Sequence, residues 1–468
     1  MTTPILSPTS LRLDLRSRTA TPTLEPPDGA LPGPVPHLRG RIERAHAFGL
    51  DALRDARLGD PRRPHFYWED AEGGLVIGWG AVAWFHGRGA DRFVRARAWI
   101  SELARKATLT GAPRGPRPET YLVAAGGFAF DPEGGWGSGF ESATFVVPRV
   151  LLHLRRDVGP VRIAWRSSQD EADAGDGAAD FPAPRSVGST PPRGAREESL
   201  AEREEWEAAV TDAMRGIASG AIEKVVLARR VARPISPGFD PLDLLTRLHD
   251  RNADCYRFLF DFGQRALLVG ASPERLVTLR NVRVSSEAVA GTAPRPAEPG
   301  EEARAVASLR ASAKDQWEHA IVVRHIRDGL APFTTELTTD DVPDVQRLRT
   351  LLHLRTRITG TTPLGTHILS IAERLHPTPA VAGSPRDAAL SWIASREPGD
   401  RGWYAGAVGW MTAGGDGDFA VALRCAFVSD RRALLGAGAG VVAGSDPPLE
   451  WKETEGKLSV MRDAFDDA

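Results

Sequence analysis

Residues 434–457, near the C-terminus, combine small and charged side chains at spacings that could hold an anionic ligand. Three glycines alternate with alanines in the segment GAGAG, and glycine lets the main chain approach a ligand closely. Glu450, Glu453 and Lys457 follow at spacings of three and four residues, on one face of a helix that opens with Pro447–Pro448. Two carboxylates beside such glycines suit a hard divalent cation that in turn holds an anion. A turn followed by a solvent-exposed helix with an i,i+4 charge pair explains the same residues equally well.

A second acidic pair and one lysine extend the set of residues that could do chemistry. Asp315 and Glu318 lie three residues apart on a long helix predicted over roughly 300–331. Lys224 lies in the β-branched run IEKVVLARRVAR, and only five of the 59 basic residues are lysines. A desolvated lysine can act as a base, whereas arginine cannot. The alternatives are a solvent-exposed helix face for the acids and a lysine whose stem reaches solvent from a half-buried strand.

The composition of the 468 residues excludes several classes of protein. With 42% hydrophobic residues, 26% charged residues and a net charge of −2, the chain lacks the basic excess expected of a nucleic-acid-binding protein. Cys255 and Cys425 are too few for a disulfide framework and show no metal-ligand spacing. There is no signal-peptide core and no run of about 18 apolar residues. We therefore expect a soluble, cytoplasmic protein with neither nucleic acid nor a membrane as its partner.

Four segments of the chain differ in composition. Residues 1–37 are rich in Pro, Ser and Thr, and we expect a disordered tail. Residues 38–165 hold short apolar runs typical of strands, around one helical segment, ADRFVRARAWISELARKA, and would form the N-terminal part of the fold. Residues 166–198 are acidic and rich in Pro and Gly, which predicts a flexible surface insertion. Residues 199–468 hold the acidic pairs and Lys224 described above, so they form the candidate catalytic region.

Several local predictions can be tested against the structure. A helix is predicted over roughly 199–219, with Ser199 as N-cap, Glu202 in capping-box register and Gly220 as its end. ESATFVVPRVLLHLRRD and GPVRIAWRSS are predicted to form a hairpin, and GDFAVALRCAFV to form one strand. A glycine turn is predicted at Gly291–Thr292.

Seven segments, in this order, resemble the successive motifs of the chorismate-utilising enzymes: EKVVLAR, GASPERL, AGTAPR, KDQWEH, LHPTPAVAG, YAGAVGW and GAGAGVVAGSDPPLEWKETEGKL. The resemblance is dense over about 200–468 and weaker over 60–165, and it is strongest to the isochorismate synthases. It implies an α/β (α+β) fold of two layered antiparallel sheets with helices packed outside and the active site in the cleft between them. It also implies chorismate as the substrate and Mg²⁺ as the cofactor.

The resemblance assigns roles to the acidic pairs and to the residues around them. Glu318 and Glu453 resemble the family's Mg²⁺ ligands, and Asp315 and Glu450 resemble residues that orient waters on the ion. The family's substrate-binding positions correspond to Gly291, Thr292, His353, Tyr404, Arg424, Gly438, Gly440 and Lys457. For His353, a hydrogen-bonded core histidine is an equally good interpretation.

Two further residues resemble the family's acid and base. Moving a hydroxyl group from C4 to C2 of chorismate needs an activated water on one side and a proton for the leaving hydroxyl on the other. Lys224 resembles the base and Glu274 the acid. Burial raises a carboxyl pKa, which is the direction that the acid needs.

Within the family, the residues favour an isochorismate synthase. The branch that makes anthranilate with ammonia lacks the lysine at position 224, and the aminodeoxychorismate branch has a lysine where this chain has Ala290. Salicylate synthases keep the first lysine but carry a threonine where this chain has Ala380, so Ala380 favours release of isochorismate. Salicylate synthase is the second hypothesis, followed by an ammonia-using synthase component and a non-catalytic family member. We expect a monomer without a glutaminase subunit, and a product used for either menaquinone or siderophore biosynthesis.

Overall fold

The larger of two β-sheets collects strands from both halves of the chain. The computed structural model describes residues 35–45, 49–59, 64–111, 118–137, 139–155, 159–168, 197–236, 238–264, 266–429 and 431–466. Within these ranges the larger sheet contains thirteen strands: β1 (Leu38–Arg44), β2 (His65–Glu69), β3 (Leu75–Trp79), β5 (Ala107–Thr110), β8 (Val150–Arg155), β9 (Gly159–Ser167), β10 (Glu198–Ser199), β11 (Lys224–Pro234), β12 (Tyr256–Asp261), β13 (Ala266–Ser272), β19 (Gly383–Ser384), β22 (Cys425–Ser429) and β23 (Arg432–Val441). They lie in the order β10-β11-β23-β22-β13-β12-β2-β3-β8-β9-β1-β5, with β19 paired to β11.

The smaller sheet contains ten of the described strands: β4 (Ala83–Gly87), β6 (Val123–Phe128), β7 (Ala143–Val147), β14 (Arg275–Arg280), β15 (Arg283–Pro294), β16 (Glu336–Thr339), β17 (Asp344–Arg347), β18 (Leu351–Thr361), β20 (Ala407–Thr412) and β21 (Gly417–Val421). Their order is β16-β18-β15-β14-β21-β20-β6-β7-β4, with β17 paired to β18. Strands pair antiparallel in both sheets, apart from the parallel pair of β1 and β5. The predicted pair of antiparallel sheets is confirmed.

Helices cover the outer faces of these sheets. The described helices are α1 (Leu50–Gly59), α2 (Arg92–Lys106), α3 (Arg203–Ala218), α4 (Pro241–Arg251), α5 (Pro299–Ala311), α6 (Ala313–Leu330), α7 (Ile368–Leu375), α8 (Arg386–Arg396) and α9 (Pro447–Asp466). Side chains alternate along β12: Phe258 and Phe260 pack into the core shared by both sheets, while Leu259 packs with residues of α4 and α9. None of the described helices is long and apolar enough to cross a membrane.

Short connections carry the chain from one sheet to the other, and they divide runs that the sequence pattern predicted as single strands. ESATFVVPRVLLHLRRD is divided at Pro148 into β7 and β8, so only its second half forms the predicted hairpin with β9. GDFAVALRCAFV is divided at residues 422–424 into β21 and β22, and that predicted single strand is wrong. Apolar residues continue through these connections because both sheets border the same core, so hydrophobicity does not mark the change of sheet.

Two predicted helices have different bounds in the structure. The helix predicted from Ser199 begins at Arg203, because Ser199 pairs in β10 and its hydroxyl donates to the Ala201 carbonyl rather than capping the helix. The helix predicted over 300–331 is two helices. Ser312, with extended backbone, ends α5, and its side chain accepts a hydrogen bond from the Asp315 amide at the start of α6. The predicted end of the first helix at Gly220 agrees with its positive φ of 78°.

The glycine turn predicted at Gly291–Thr292 is a bulge inside β15. The register against β18 shifts between Ala290 and Thr292, and Gly291 has a φ of +75°. Most of the predicted tail (1–37) and of the predicted insertion (166–198) lies outside the described residues, and the division of the chain into these segments stays a prediction.

Candidate active site

Two connections between the sheets lie side by side and place the first two candidate residues. Glu274 lies between β13 and β14, and Arg424 lies between β21 and β22. The Val421 amide donates to the Glu274 carbonyl (3.1 Å), and the Ala271 amide donates to the Arg424 carbonyl (3.0 Å). The prediction that Arg424 lies within a strand is therefore wrong. Its φ of +46° turns the chain, and the bonded connections hold both side chains between the sheets.

The Glu274 carboxyl is buried and surrounded by cations. Burial raises its pKa to about 7, although the charges of Lys224, Arg424 and Lys457 and a hydrogen bond from Thr378 act in the opposite direction. The Thr378 hydroxyl donates to Glu274 Oε1 over 3.3 Å. A carboxyl group with this pKa can release a proton to a ligand near neutral pH, as the predicted acid requires.

Arg424 is a buried cation without an ion-pair partner among the described residues. One guanidinium nitrogen donates to His353 Nε2 (3.4 Å), while Nε has no hydrogen-bond partner in the described part of the chain. Burial and the positive charges of Arg424 and Lys457 hold the His353 pKa well below its ordinary value, so the ring is neutral. Its Nδ1 donates to the Gly291 carbonyl (3.1 Å). A buried guanidinium of this kind is costly unless an anion binds it.

Lys224 begins β11 and is completely buried. Its ammonium nitrogen lies 3.0 Å from Glu318 Oε1 on α6, but it makes no well-aligned hydrogen bond within the described structure. Burial acts to raise the pKa of Glu318, yet the nearby Lys224 and the charges of Lys314 and Lys457 together outweigh it, and the pKa is lowered. A Cβ atom at Gly440 would collide with Glu318 Oε1 and lie 3.0 Å from Lys224 Cε. Gly440 therefore makes room for this ion pair, a role that differs from the predicted approach of its backbone to the ligand.

Helix α9 supplies two more acids, and each has a lysine partner. Lys457 pairs with Glu453 (2.6 Å) and donates to the Gly438 carbonyl (2.8 Å). Lys314, from α6, pairs with Glu450 (2.6 Å). Burial and repulsion by Glu453 raise the pKa of Glu450. Partial burial acts to lower the pKa of Lys314. The pKa is nevertheless raised, mainly by Glu450 and more weakly by Glu318 and Glu453.

Asp315 connects α6 to the bulge in β15. Its carboxylate accepts hydrogen bonds from Ser312 and from the Thr292 backbone, while burial raises its pKa overall. A Cβ atom at Gly291 would lie 3.1 Å from Asp315 Cβ, so a side chain at Gly291 would press on the start of α6. The Thr292 hydroxyl lies 3.2 Å from His353 Nδ1. The bulge therefore contacts both Asp315 and His353, and His353 is the hydrogen-bond partner of Arg424.

Tyr404 packs over the glycines of β23. A Cβ atom at Gly436 would lie 2.6 Å from the Tyr404 ring, and one at Gly438 would lie 3.5 Å from its hydroxyl oxygen. Burial raises the Tyr404 pKa, so the phenol keeps its proton. Ala380 lies two residues after Thr378 and is half-buried.

The structure brings the predicted residues to one place and adds three that sequence reasoning missed. Lys314, Thr378 and Gly436 contact predicted site residues but received no role. The rarity of lysine could have indicated Lys314, since three of the five lysines form ion pairs here. Thr378 lies within the segment LHPTPAVAG, two residues before Ala380, and that position could have indicated it.

The residues present fit a small divalent cation that keeps most of its waters. Among the described residues, no three carboxylate, imidazole or thiol side chains converge as a complete ligand set. Carboxylates from two helices nevertheless act on the same group. Glu450 pairs with Lys314, and the charges of Glu318 and Glu453 also raise the Lys314 pKa. The absence of a side chain at Gly440 lets the Glu318 carboxylate lie against β23. Mg²⁺ needs only one or two carboxylates when waters and an anionic ligand complete its shell.

Comparisons with known proteins identify the family of the chain. Residues 49–466 match the family of chorismate binding enzymes. The salicylate biosynthesis isochorismate synthase of Pseudomonas aeruginosa is 37% identical over 460 residues, which is 92% of this chain and 94% of that protein. The structure of MenF, the menaquinone-specific isochorismate synthase from Escherichia coli, is similar with a TM-score of 0.76 at 27% identity, covering 93% of this chain and 97% of that one.

A more distant structure shares the fold. Anthranilate synthase component I from Streptococcus pneumoniae has a TM-score of 0.63 at 20% identity over 94% of this chain and 95% of that one. The sheets, the site and these matches lead to one conclusion: the chain belongs to the family of chorismate-binding enzymes.

Proposed function

We propose that this protein is an isochorismate synthase, an isomerase that converts chorismate to isochorismate. The observation that carries the proposal is the setting of Glu274. It is a buried carboxyl with a pKa of about 7, and the charges of Lys224, Arg424 and Lys457 act on it. A proton donor, a candidate base and two anion-binding groups therefore share one cleft.

The reaction assigns complementary proton transfers to Lys224 and Glu274. The neutral amine of Lys224 takes a proton from water, and the resulting hydroxide forms a bond to C2 of the ring. Both conjugated ring double bonds shift, the bond between C4 and its hydroxyl oxygen breaks, and Glu274 donates the proton that lets this oxygen leave as water. One water enters and one leaves, so the net reaction is an isomerisation.

Glu318 and Glu453 would hold Mg²⁺, with Asp315 and Glu450 as partners of its waters. The bound ion would neutralise the ring carboxylate of chorismate beside these acids. Anionic groups of the substrate are also expected to use Arg424 and Lys457, with Tyr404 and the glycine backbones of β15 and β23 lining the pocket. The Arg424 guanidinium has no ion-pair partner in the described part of the chain, which supports this assignment.

Ala380 supports release of isochorismate over its further conversion to salicylate. The product would serve either menaquinone or siderophore biosynthesis, since relatives named for menaquinone and for salicylate biosynthesis both match this chain. Both cysteines are buried free thiols, which suits a reducing compartment, and we propose the cytoplasm. We also propose that the enzyme acts as a monomer without a glutaminase subunit.

Product analysis by HPLC tests the function directly. Purified protein is incubated with chorismate and Mg²⁺ in the absence of ammonia, and we expect isochorismate in equilibrium with chorismate. Salicylate with pyruvate would instead identify a salicylate synthase. Turnover that requires ammonia would move the protein to the aminating branch, and no product under any condition would indicate a binding function.

A further inference from the structure

One of the three lysine–glutamate pairs in the site differs from the other two. The side chain of Lys224 is fully buried, and that of Lys457 is 14% exposed and also bonded to a backbone carbonyl. The Lys314 side chain is 31% exposed, and the Glu450 carboxylate is the only hydrogen-bond acceptor of its ammonium within the described structure. Lys314 can therefore leave its partner and reach solvent, because a flexible four-carbon stem needs only a rotamer change.

Glu450, the partner of Lys314, cannot move out to solvent in the same way. The Glu450 side chain is only 2% exposed, and it also accepts a hydrogen bond from Ser445. Repulsion from Glu453 adds to the cost of leaving Glu450 charged without a cation nearby. A positive charge must therefore remain beside Glu450, and either the lysine or a metal ion can supply it.

We propose that Lys314 is an internal counter-ion that competes with Mg²⁺ for the acidic pocket and weakens binding of the ion to the substrate-free enzyme. This inference rests on the proposed function, because it assumes that Glu318 and Glu453 hold the ion. The ammonium of Lys314 pairs with Glu450 at 2.6 Å, and the charges of Glu318 and Glu453 also act on it, so it is held by the same negative charges that would attract the cation. Lys314 acts through these acids and is a positioning residue, not a catalytic one.

The direction of the expected effect follows from charge. Removing Lys314 leaves one more uncompensated negative charge in the pocket, so Mg²⁺ binds more tightly. We expect Lys314→Met to lower the dissociation constant of Mg²⁺ by about tenfold, because a unit charge near a divalent ion contributes more than RT even at an effective dielectric constant of about 20. Damage to the fold would have the opposite sign, since a distorted pocket binds a metal ion less well.

The test is isothermal titration of Mg²⁺ alone into the substrate-free, full-length protein at pH 8. Lys314→Met is compared with wild type and with Lys452→Met, which removes the same charge from an exposed position on α9. Lys314→Arg keeps the charge and should bind Mg²⁺ about as wild type does. Thermal melts with and without Mg²⁺ check that each variant is folded.

The outcomes separate this inference from the proposed function. Tighter binding by Lys314→Met, with Lys452→Met and Lys314→Arg near wild type, supports the counter-ion. Equal or weaker binding by Lys314→Met overturns it and leaves the proposed function intact. Equal tightening by Lys452→Met also overturns it, because the effect would then be one of overall charge. Wild type that binds no Mg²⁺ and forms isochorismate in the presence of EDTA would overturn the counter-ion and the metal dependence together.

Discussion

Helices α6 and α9 bring acids to the same site with the same three-residue spacing, but they use their two acids differently. In α6 the second acid, Glu318, faces the buried Lys224, while Asp315 is held by the Thr292 backbone. In α9 the first acid, Glu450, is the deeply buried one, and Glu453 is 20% exposed. Spacing thus predicts that two side chains share a helix face, whereas the elements packed against that face decide the depth and partner of each.

The largest expected difference between the helices concerns their lysine partners. Lys224, opposite α6, is the proposed base, so Lys224→Ala should lower kcat by about 10³-fold, within the range for loss of a general base. Lys457, on α9, is proposed to bind an anionic group of the substrate, so Lys457→Ala should mainly raise KM. Steady-state kinetics with HPLC detection measures both constants, and circular dichroism confirms folding. Wild-type-like turnover by Lys224→Ala would remove it as the base.

An intermediate effect is expected at Gly440, which faces Glu318 of α6. Gly440→Ala would place a methyl group against Glu318 and Lys224, and we expect a loss of about 10²-fold in kcat/KM from the misplaced pair. Gly456→Ala, within α9, is the matched control, since its Cβ would meet Leu351 Cδ2 at 3.6 Å, an ordinary contact. This control should keep its activity and gain up to about 1 kcal/mol in free energy of unfolding. Equal activity in both variants would show that the pair tolerates displacement.

The smallest effect concerns the pKa of Glu274. Burial raises this pKa, whereas the charged neighbours and the hydrogen bond from the uncharged Thr378 hydroxyl lower it. Glu274 acts in its protonated form, so the alkaline limb of kcat/KM should fall as pH rises through its pKa of about 7. The Thr378 hydroxyl stabilises the charged form. Thr378→Val should therefore raise this pKa and move the alkaline limb to higher pH by less than about one unit.

Thr378→Ser keeps the hydroxyl and is the control for this shift. Profiles of kcat/KM against pH are recorded for the three proteins. A limb that stays in place in Thr378→Val would mean that burial and the charges of the lysines and Arg424 set the pKa of Glu274 without the Thr378 hydroxyl.

Strand and helix patterns predicted much of the catalytic half, but not the places where the chain changes sheets. β11 was predicted from its β-branched run and α9 from its helical spacing after Pro447–Pro448, whereas the glycine-rich segment that forms β23 was not predicted as a strand. The division of GDFAVALRCAFV was missed because apolar residues continue through the connection between β21 and β22. That connection places Arg424, so the error affected a site residue directly.

The amino-acid sequence alone was enough to select the chemical groups: carboxylates in pairs, a rare lysine in an apolar strand and the glycines beside them, in the order that identifies the family. Folding determined what each group faces. Lys314 became the partner of Glu450, Thr378 that of Glu274, and Gly440 the space for Glu318. These pairs join residues up to 136 positions apart in the chain. Local spacing cannot specify such contacts, because they arise only when two sheets and their helices pack around one cleft.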